Sequence, residues 1–396
     1  MPNQPTNPRI FLSAGEASGD HYGAQLIAAL RNALPQAEFL GLGGAEMQAA
    51  GQRRIVRAED VAHMGITEVL RHALFIFRQY RKLVAAIRRE RPQVAILIDF
   101  PDVNFRLAKH LKRAGIPVVW LVSPQLWAWK KSRLRWVQQR VAKMLVIFPF
   151  EAPFYRARKV DATFIGHPLA HLPLPEITRD QFAQAHSLDP NKKWIALLPG
   201  SRAKELHLNL PTMLEAAAQL GTAYEYILPI ASTINAASLS VPTNIHLVPD
   251  ARAALHHARA SIVASGTATI QAALIGNPFI VVYKVSALTY SLAKRLISYP
   301  PEIPAAPDAH GNLPIAMPNL IAGRRIVPEL IQQHFTAANA AAALKPLLAD
   351  TPTRTQQLQD LAALRAQLAS PTPATPIQSA AQTVLDLLPK LSPHQT

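Results

Sequence analysis

The chain of 396 residues contains no cysteine, which excludes disulfide bonds, thiolate nucleophiles and cysteine-based zinc sites. It also lacks any apolar run of the roughly 18 residues that a membrane-spanning helix needs. Its polar start, Met1–Pro5, has no apolar signal region. We therefore expect a protein that is soluble or lies on a membrane surface.

Acidic residues are scarce: 25 Asp and Glu stand against 41 Lys and Arg, which gives a formal net charge of +16. A surplus of this size indicates an anionic partner, and three classes fit: a nucleic acid, a phosphorylated substrate or an acidic membrane surface. No RNA- or DNA-binding motif accompanies the charge, so we expect no nucleic acid partner.

The common nucleotide-binding motifs are missing as well. There is no Walker loop, and Gly41–Gly44 is only an interrupted form of the Gly-x-Gly-x-x-Gly pattern, which disfavours ATP and NAD chemistry. An Asp-x-Asp pair, which often holds a divalent ion on a sugar nucleotide, is absent too. We expect neither a cofactor nor a metal, so that a departing diphosphate would be neutralised by Arg202 and helix amides.

Short apolar runs alternate with helical patterns along the chain, which predicts an α/β fold with parallel sheets. The length, with 49% hydrophobic residues, favours two domains. Phe164–Pro168 and the Pro-rich Leu172–Pro175 mark the boundary. We predict one domain over 1–170, a second over 171–350 and a helical tail over 351–396, which either packs back on the domains or stays exposed.

The turn Ser13–Asp20 follows the first predicted strand and precedes a helical pattern. Parallel sheets bind ligands at the carboxyl ends of their strands, where glycines allow a close approach of the backbone. Glu16 and Asp20 repel a pyrophosphate, so we predict that this turn binds the hydroxyl groups of an acceptor. Its candidate binding residues are Ser13, Gly15 and Glu16.

Two carboxylates, Asp99 and Asp102, lie where another predicted strand ends and a helix begins. Asp102 is placed to cap that helix. Asp99 is nearer the strand and is not needed as a cap, so it is the candidate general base for an attacking hydroxyl. The alternative for Asp99 is a structural hydrogen-bond acceptor.

The second half carries two small-residue turns, each between a predicted strand and a helix. Amides at the start of the first helix, with Arg202 beside them, suit a diphosphate; the alternative is an ordinary turn with a surface arginine. Together the turns predict one nucleotide site. Its candidate residues are Gly200, Ser201, Arg202, Gly266, Thr267 and Gln271.

Two segments combine apolar and basic residues. A predicted helix from Met64 through Phe77 has an apolar face followed by cations up to Arg91. This pattern is typical of a helix on an anionic membrane, although the same helix can pack on the sheet with a solvated basic face. Ser123–Trp129 carries two tryptophans, either core residues or a binding wall, and the cations after it fit anionic head groups.

Six motifs occur in a specific order: Ser13–Asp20, Met64–Val69, Ser123–Trp129, Phe164–His167, Leu197–Arg202 and Pro318–Leu320. In this order the sequence resembles the lipid A disaccharide synthase family. The resemblance implies a GT-B glycosyltransferase with two Rossmann-like domains facing across a cleft, the first holding the acceptor and the second the UDP-sugar. It further implies inverting transfer of 2,3-diacylglucosamine from UDP-2,3-diacylglucosamine to 2,3-diacylglucosamine 1-phosphate (lipid X), which yields a β(1→6) disaccharide 1-phosphate and UDP.

By the same resemblance Asp99 is the base, Arg202 binds the diphosphate and Asn319 is a cleft residue. The implied partners are UDP-diacylglucosamine, lipid X and the anionic cytoplasmic face of the inner membrane, where the enzyme is peripheral; a homodimer is left open. The sequence departs from the family at Gln271, where the family has a glutamate that accepts from the ribose, and in the long stretch Pro300–Pro318. The competing interpretation is another GT-B enzyme, a hexosaminyltransferase or a UDP-sugar epimerase.

Overall fold

The computed structural model describes residues 7–61, 73–230, 234, 239 and 241–388. The motif Met64–Val69 therefore lies outside the described residues. The chain divides into two compact units, a first unit of residues 1–168 with 370–396 and a second unit of residues 169–369. Each unit contains one parallel sheet, as the alternating pattern of the sequence predicts.

The first unit has a seven-stranded sheet in the order β3-β2-β1-β4-β5-β6-β7. The order reverses between β1 and β4, which in open α/β sheets is the point where ligands bind. Most strand residues are buried because helices cover both faces, and this is why the strands read as apolar runs. The strands are β1 (Arg9–Ala14), β2 (Glu38–Gly43), β3 (Gln52–Arg57), β4 (Val94–Ile98), β5 (Val118–Leu121), β6 (Lys143–Val146) and β7 (Ala162–Phe164).

The helices of the first unit connect these strands. Within the described part of the chain, no helix combines the length and the apolar content that a membrane span requires. The helices are α1 (Ala17–Ala33), α2 (Ala45–Ala49), α3 (Ala73–Glu90), α4 (Pro101–Arg113), α5 (Leu134–Arg140) and α6 (Glu151–Arg156).

The second unit has a six-stranded sheet in the order β10-β9-β8-β11-β12-β13, with its reversal between β8 and β11. The strands are β8 (Lys193–Leu198), β9 (Tyr224–Pro229), β10 (Ile245–Val248), β11 (Ala260–Ala264), β12 (Phe279–Tyr283) and β13 (Glu329–Ile331). The helices are α7 (Arg179–His186), α8 (Ala203–Leu220), α9 (Ala251–His257), α10 (Thr267–Ile275), α11 (Ala287–Leu296), α12 (Met317–Ala322), α13 (Ala337–Leu348) and α14 (Pro352–Leu368).

The tail, which the sequence predicts as one segment from residue 351, is divided between the two units. In α14 the Gln357 side chain exchanges two hydrogen bonds with the Phe279 backbone, and this ties the helix to the second unit. The last helix, α15 (Pro376–Leu387), buries Ala380 and Val384 in the core of the first unit, against α1. The two helices of the tail therefore pack on different units, and the division falls at residue 370.

Candidate active site

The ends of β1 and β4 are joined by a buried amide. The Ser13 hydroxyl donates to Asn104 Oδ1 at 2.6 Å, and Asn104 Nδ2 donates to the carbonyls of Ile98 and Asp99 at 3.2 and 2.8 Å. Ser13 and Asn104 are both fully buried. Ser13, a predicted substrate contact, therefore acts here as part of a brace between two strands, and Asn104 is a site residue that the motif reasoning missed.

Gly15 lets the two strand ends approach each other. A Cβ at this position would lie 2.3 Å from the Phe100 ring, so a larger residue would displace the ring. Phe100 itself has φ +46°, and the neighbouring Asp99 has φ +42°, both in the left-handed region. Such conformations cost about 1–3 kcal/mol each and cluster at functional sites. The missing side chain at Gly15 and the left-handed backbone at 99–100 thus shape the same region, where β1 and β4 end.

Asp99 has an altered acidity. Burial of the carboxyl, together with the negative charge of Glu16, raises the pKa of Asp99 to about 6, against an opposing hydrogen bond from the Phe100 amide. Glu16 is exposed. The structure therefore places two predicted site residues, Asp99 and Glu16, close enough to interact, one half-buried and the other in solvent.

The other acids of these turns have structural roles. Asp20 is buried and accepts hydrogen bonds from the amides of Gly44, Glu46 and Met47, so it fixes the start of α2. The capping prediction for Asp102 is wrong: α4 starts at Pro101, no side chain caps it, and Asp102 lies in its first turn. Its exposed carboxylate pairs with Arg133 at 3.0 Å instead.

The segment after β5 separates its two tryptophans. Trp127 is buried and donates to Glu151 at 3.1 Å, whereas Trp129 is exposed with the Lys130 ammonium 4.1 Å from its ring centroid. Complete burial raises the pKa of Glu151 to about 8. One tryptophan is therefore core, and the other is available as a surface wall.

The first turn of the second unit lies at the end of β8. The Ser201 and Arg202 amides point at the Glu205 carboxylate, at 2.9 and 3.4 Å, and the Arg202 guanidinium pairs with the same group at 3.2 Å. Gly200 has φ +124°, and a Cβ there would lie 2.3 Å from Glu205 Oε2. Glu205 thus occupies the donors that the sequence assigned to a diphosphate.

The second turn follows β11, which pairs with β8 in parallel, so both turns lie at the carboxyl edge of the sheet. Gly266 and Thr267 lie in this turn, and α10 starts at Thr267. Gln271 is half-buried on α10 and lines a small pocket with Arg252 and Arg365. The structure therefore groups the loop residues at a common edge and directs Gln271 toward this pocket.

Asn319 is fully buried at the start of α12. Its Oδ1 accepts from the amides of Ile326 and Val327 at 2.7 and 2.9 Å, while its Nδ2 donates to the Val327 carbonyl and to Glu329 at 2.9 and 3.0 Å. Because the amide is fully engaged within its own segment, this geometry supports a positioning role and not a direct contact with substrate.

Solved structures identify the class. The chain is similar to the glycotransferase of kitacinnamycin, with a TM-score of 0.61 at 18% identity over 97% of this chain and 100% of that chain. It is also similar to UDP-GlcNAc 2-epimerase from Neisseria meningitidis, with a TM-score of 0.57 at 12% identity over 97% and 99%. With the two parallel sheets, these likenesses define a two-domain, Rossmann-like GT-B fold, as predicted.

Sequence relatives identify the family. The family model described as lipid-A-disaccharide synthetase matches residues 10–384. The lipid-A-disaccharide synthase of Acidobacterium capsulatum is 56% identical over 383 residues, 92% of each chain, and that of Koribacter versatilis is 47% identical over 96% of this chain and 98% of its own. The chain belongs to the lipid-A-disaccharide synthetase family and is a glycosyltransferase of lipid A biosynthesis.

The electrostatic interaction between Asp99 and Glu16 gives a testable prediction. Glu16→Gln removes the negative charge that raises the pKa of Asp99, so the pKa of Asp99 should fall below about 6 while burial keeps it above its ordinary value. Carboxyl ¹³C NMR titration of the two proteins measures this. Glu46→Gln, which changes an exposed acid on α2, is the control. A pKa of Asp99 that is the same in Glu16→Gln and in the parent contradicts the assigned interaction.

Proposed function

We propose that the protein transfers 2,3-diacylglucosamine from UDP-2,3-diacylglucosamine to the 6-hydroxyl of lipid X. The Asp99 carboxylate takes the hydroxyl proton as the oxygen attacks the anomeric carbon. The bond from that carbon to the diphosphate oxygen breaks, its electron pair leaves with UDP, and the configuration inverts. The products are the β(1→6) disaccharide 1-phosphate and UDP.

One observation carries the catalytic assignment. Asp99 lies at the carboxyl end of β4, next to the reversal of strand order, in a strained backbone, and burial with Glu16 raises its pKa to about 6. A base with a pKa near the working pH is ionised there and still accepts a proton well. Gly15 and Glu16 are the proposed acceptor contacts, with Ser13 holding their turn.

Asp99→Asn should keep the fold and lower the rate of disaccharide formation by about 100-fold or more, because an amide cannot accept the proton. Incubation with UDP-diacylglucosamine and lipid X, followed by mass measurement of the product, tests both the reaction and the residue. In the parent enzyme the rate should fall as the pH drops through about 6, since Asp99 then becomes protonated.

Asp102→Asn is the matched control, because Asp102 is exposed, lies three residues further on in the first turn of α4 and is assigned no role in the reaction. It should retain the parent rate and pH profile. An Asp99→Asn enzyme of parental rate would remove Asp99 from the mechanism, and a parent that makes no disaccharide would refute the proposed reaction.

The donor site is assigned to the turns of the second unit. Gly200, Ser201 and Arg202 would hold the diphosphate, and Gly266 and Thr267 at the same sheet edge would contact the rest of the nucleotide. Gln271, on the helix that follows Gly266, is the further proposed contact, and Asn319 is a positioning residue. The diphosphate then needs the amides that Glu205 now engages. We infer that Glu205 moves aside on binding, as one anion replaces another.

Two substitutions should change UDP affinity in opposite directions. Arg202→Ala should weaken binding by about 1.5–3 kcal/mol, because it removes a charge-assisted contact. Glu205→Gln should strengthen it by roughly 0.5–1 kcal/mol, because the competing negative charge is gone while an acceptor for the amides remains. Calorimetry with UDP measures both. Weaker binding by Glu205→Gln would show that Glu205 assists the nucleotide and does not compete with it.

The proposed partner of the first unit is an anionic membrane, on the cytoplasmic side of the inner membrane. The two faces of α3 differ: Leu83 and Ile87 are buried against the unit, whereas Leu74 is 76% exposed and Phe75 and Phe77 are exposed near its start. The alternative, a helix packed with only a basic face in solvent, leaves these outward apolar residues without explanation. Trp129 adds an exposed aromatic ring beside cations.

Leu74→Ser with Phe75→Ser should abolish most binding to anionic vesicles, because the substitutions remove apolar area that enters the interface. UDP affinity should stay at the parental value and thermal stability close to it, since Leu74 is 76% and Phe75 38% exposed. Co-sedimentation measures the binding, and added salt should weaken the binding of the parent protein to the vesicles. A variant that unfolds, or that binds vesicles as the parent does, contradicts the proposal.

A further inference from the structure

The second unit carries a helix, α11, that has two leucines on its solvent-exposed face. Among the side chains of α11 that the structure describes, the half-buried ones are Tyr290 and Ala293, followed by Ile297, whereas Leu292 and Leu296 are 56% and 57% exposed. The two leucines are four residues apart and therefore adjacent on one face. An ordinary surface helix turns its leucines inward. Here Tyr290 and Ala293 face the unit, and the two leucines face solvent.

This outward face is held in place by its surroundings. The Ser286 hydroxyl caps the helix by accepting from the Thr289 amide at 3.3 Å. The Tyr290 hydroxyl donates to the side chain of Asn312, and the backbone and side-chain amides of Asn312 both donate to the Asp308 carboxylate. The Pro-rich segment after α11 is thus an ordered support, and it fixes the leucines outward.

The charge around the face has one sign. Lys294 and Arg295 are exposed, and neither has an ion-pair partner among the residues that the structure describes. Arg295 is three residues from Leu292 and therefore lies beside it on the helix surface, whereas Lys294, two residues from each leucine, lies farther round the helix. From residue 251 to residue 301 the sequence contains no Asp or Glu. Apolar side chains flanked by unpaired cations are what an anionic lipid surface binds.

We propose that Leu292 and Leu296, with Arg295 beside them and Lys294 farther round the helix, form a second lipid-contacting surface, on the second unit, that inserts into the head-group region of an anionic bilayer. The proposal rests on the proposed function, in which both substrates carry acyl chains. A protein partner fits less well, because a stable protein interface buries more than about 1,000 Å² and two leucines provide much less. Each unit would then contact lipid through its own helix.

The first test uses Leu292→Ser with Leu296→Ser in the full chain. Binding to vesicles of phosphatidylcholine and phosphatidylglycerol should weaken by roughly tenfold or more, because two leucines no longer enter the interface. Leu358→Ser is the matched control: Leu358 is a 37% exposed leucine of the same unit, on α14 and outside the stretch 251–301 that lacks acids. It should bind as the parent does. Equal binding by the double variant and the parent would overturn the proposal.

The second test locates the helix directly. Because the chain has no cysteine, Leu292→Cys can be labelled at one position with an environment-sensitive dye. Its emission should shift to the blue with anionic vesicles, and that of labelled Leu358→Cys should not. An unshifted emission from the dye at position 292 on vesicle-bound protein would refute insertion. A drop in molecular mass of the double serine variant without vesicles would assign the face to a second copy and also refute it.

These outcomes are independent of the proposed reaction. Disaccharide formation with detergent-dispersed substrates, measured by product mass, reports the reaction without a bilayer. The double serine variant should retain the parental rate there. A parent that is inactive in detergent, together with a blue shift from labelled Leu292→Cys, would refute the reaction and keep the lipid surface. An active parent, together with no shift from the labelled variant, would do the reverse.

Discussion

The Asn104 amide bridges the ends of β1 and β4, and the geometry of the proposed acceptor site depends on it. It accepts from the Ser13 hydroxyl and donates to the Ile98 and Asp99 carbonyls, all in a buried setting where an unpaired polar group costs about 1–3 kcal/mol. The free energy of these bonds offsets the cost of the left-handed backbone conformation at Asp99 and Phe100. The position of the proposed base is therefore set by a residue that is itself engaged entirely within the protein.

The sequence predicts the fold class because parallel strands buried on both faces read as uninterrupted apolar runs. It also predicts that Glu16 and Asp99 follow strands and therefore lie at the carboxyl ends of those strands. It does not reveal the strand order, which depends on pairings between distant segments, such as that of Ile10 with Val94. The interaction of Glu16 with Asp99, and the closeness of Gly15 to Phe100, follow only from that order.

Motifs mark where a site lies more reliably than they assign roles within it. Ser13 and Asn319 belong to motif segments, yet both are fully buried and hydrogen-bonded to the protein. Spacing alone predicts a cap at Asp102, yet α4 already starts at Pro101 and the carboxylate pairs with Arg133. The sequence does not distinguish a polar residue that braces a turn from one that binds a ligand, because the difference lies in hydrogen-bond partners from elsewhere in the fold.

The positive surplus of the chain is not concentrated at the proposed donor turn. There the Arg202 guanidinium is already balanced by Glu205, so nucleotide binding would exchange one anion for another, and the return of Glu205 would favour release of UDP. Cations also lie beside exposed apolar residues, at Trp129 and on α11. Attraction to an anionic surface falls off within a Debye length, whereas apolar insertion acts only on contact. In the proposed membrane association, charge would therefore bring the enzyme to the bilayer, and the outward leucines and phenylalanines would hold it where the proposed acylated substrates are.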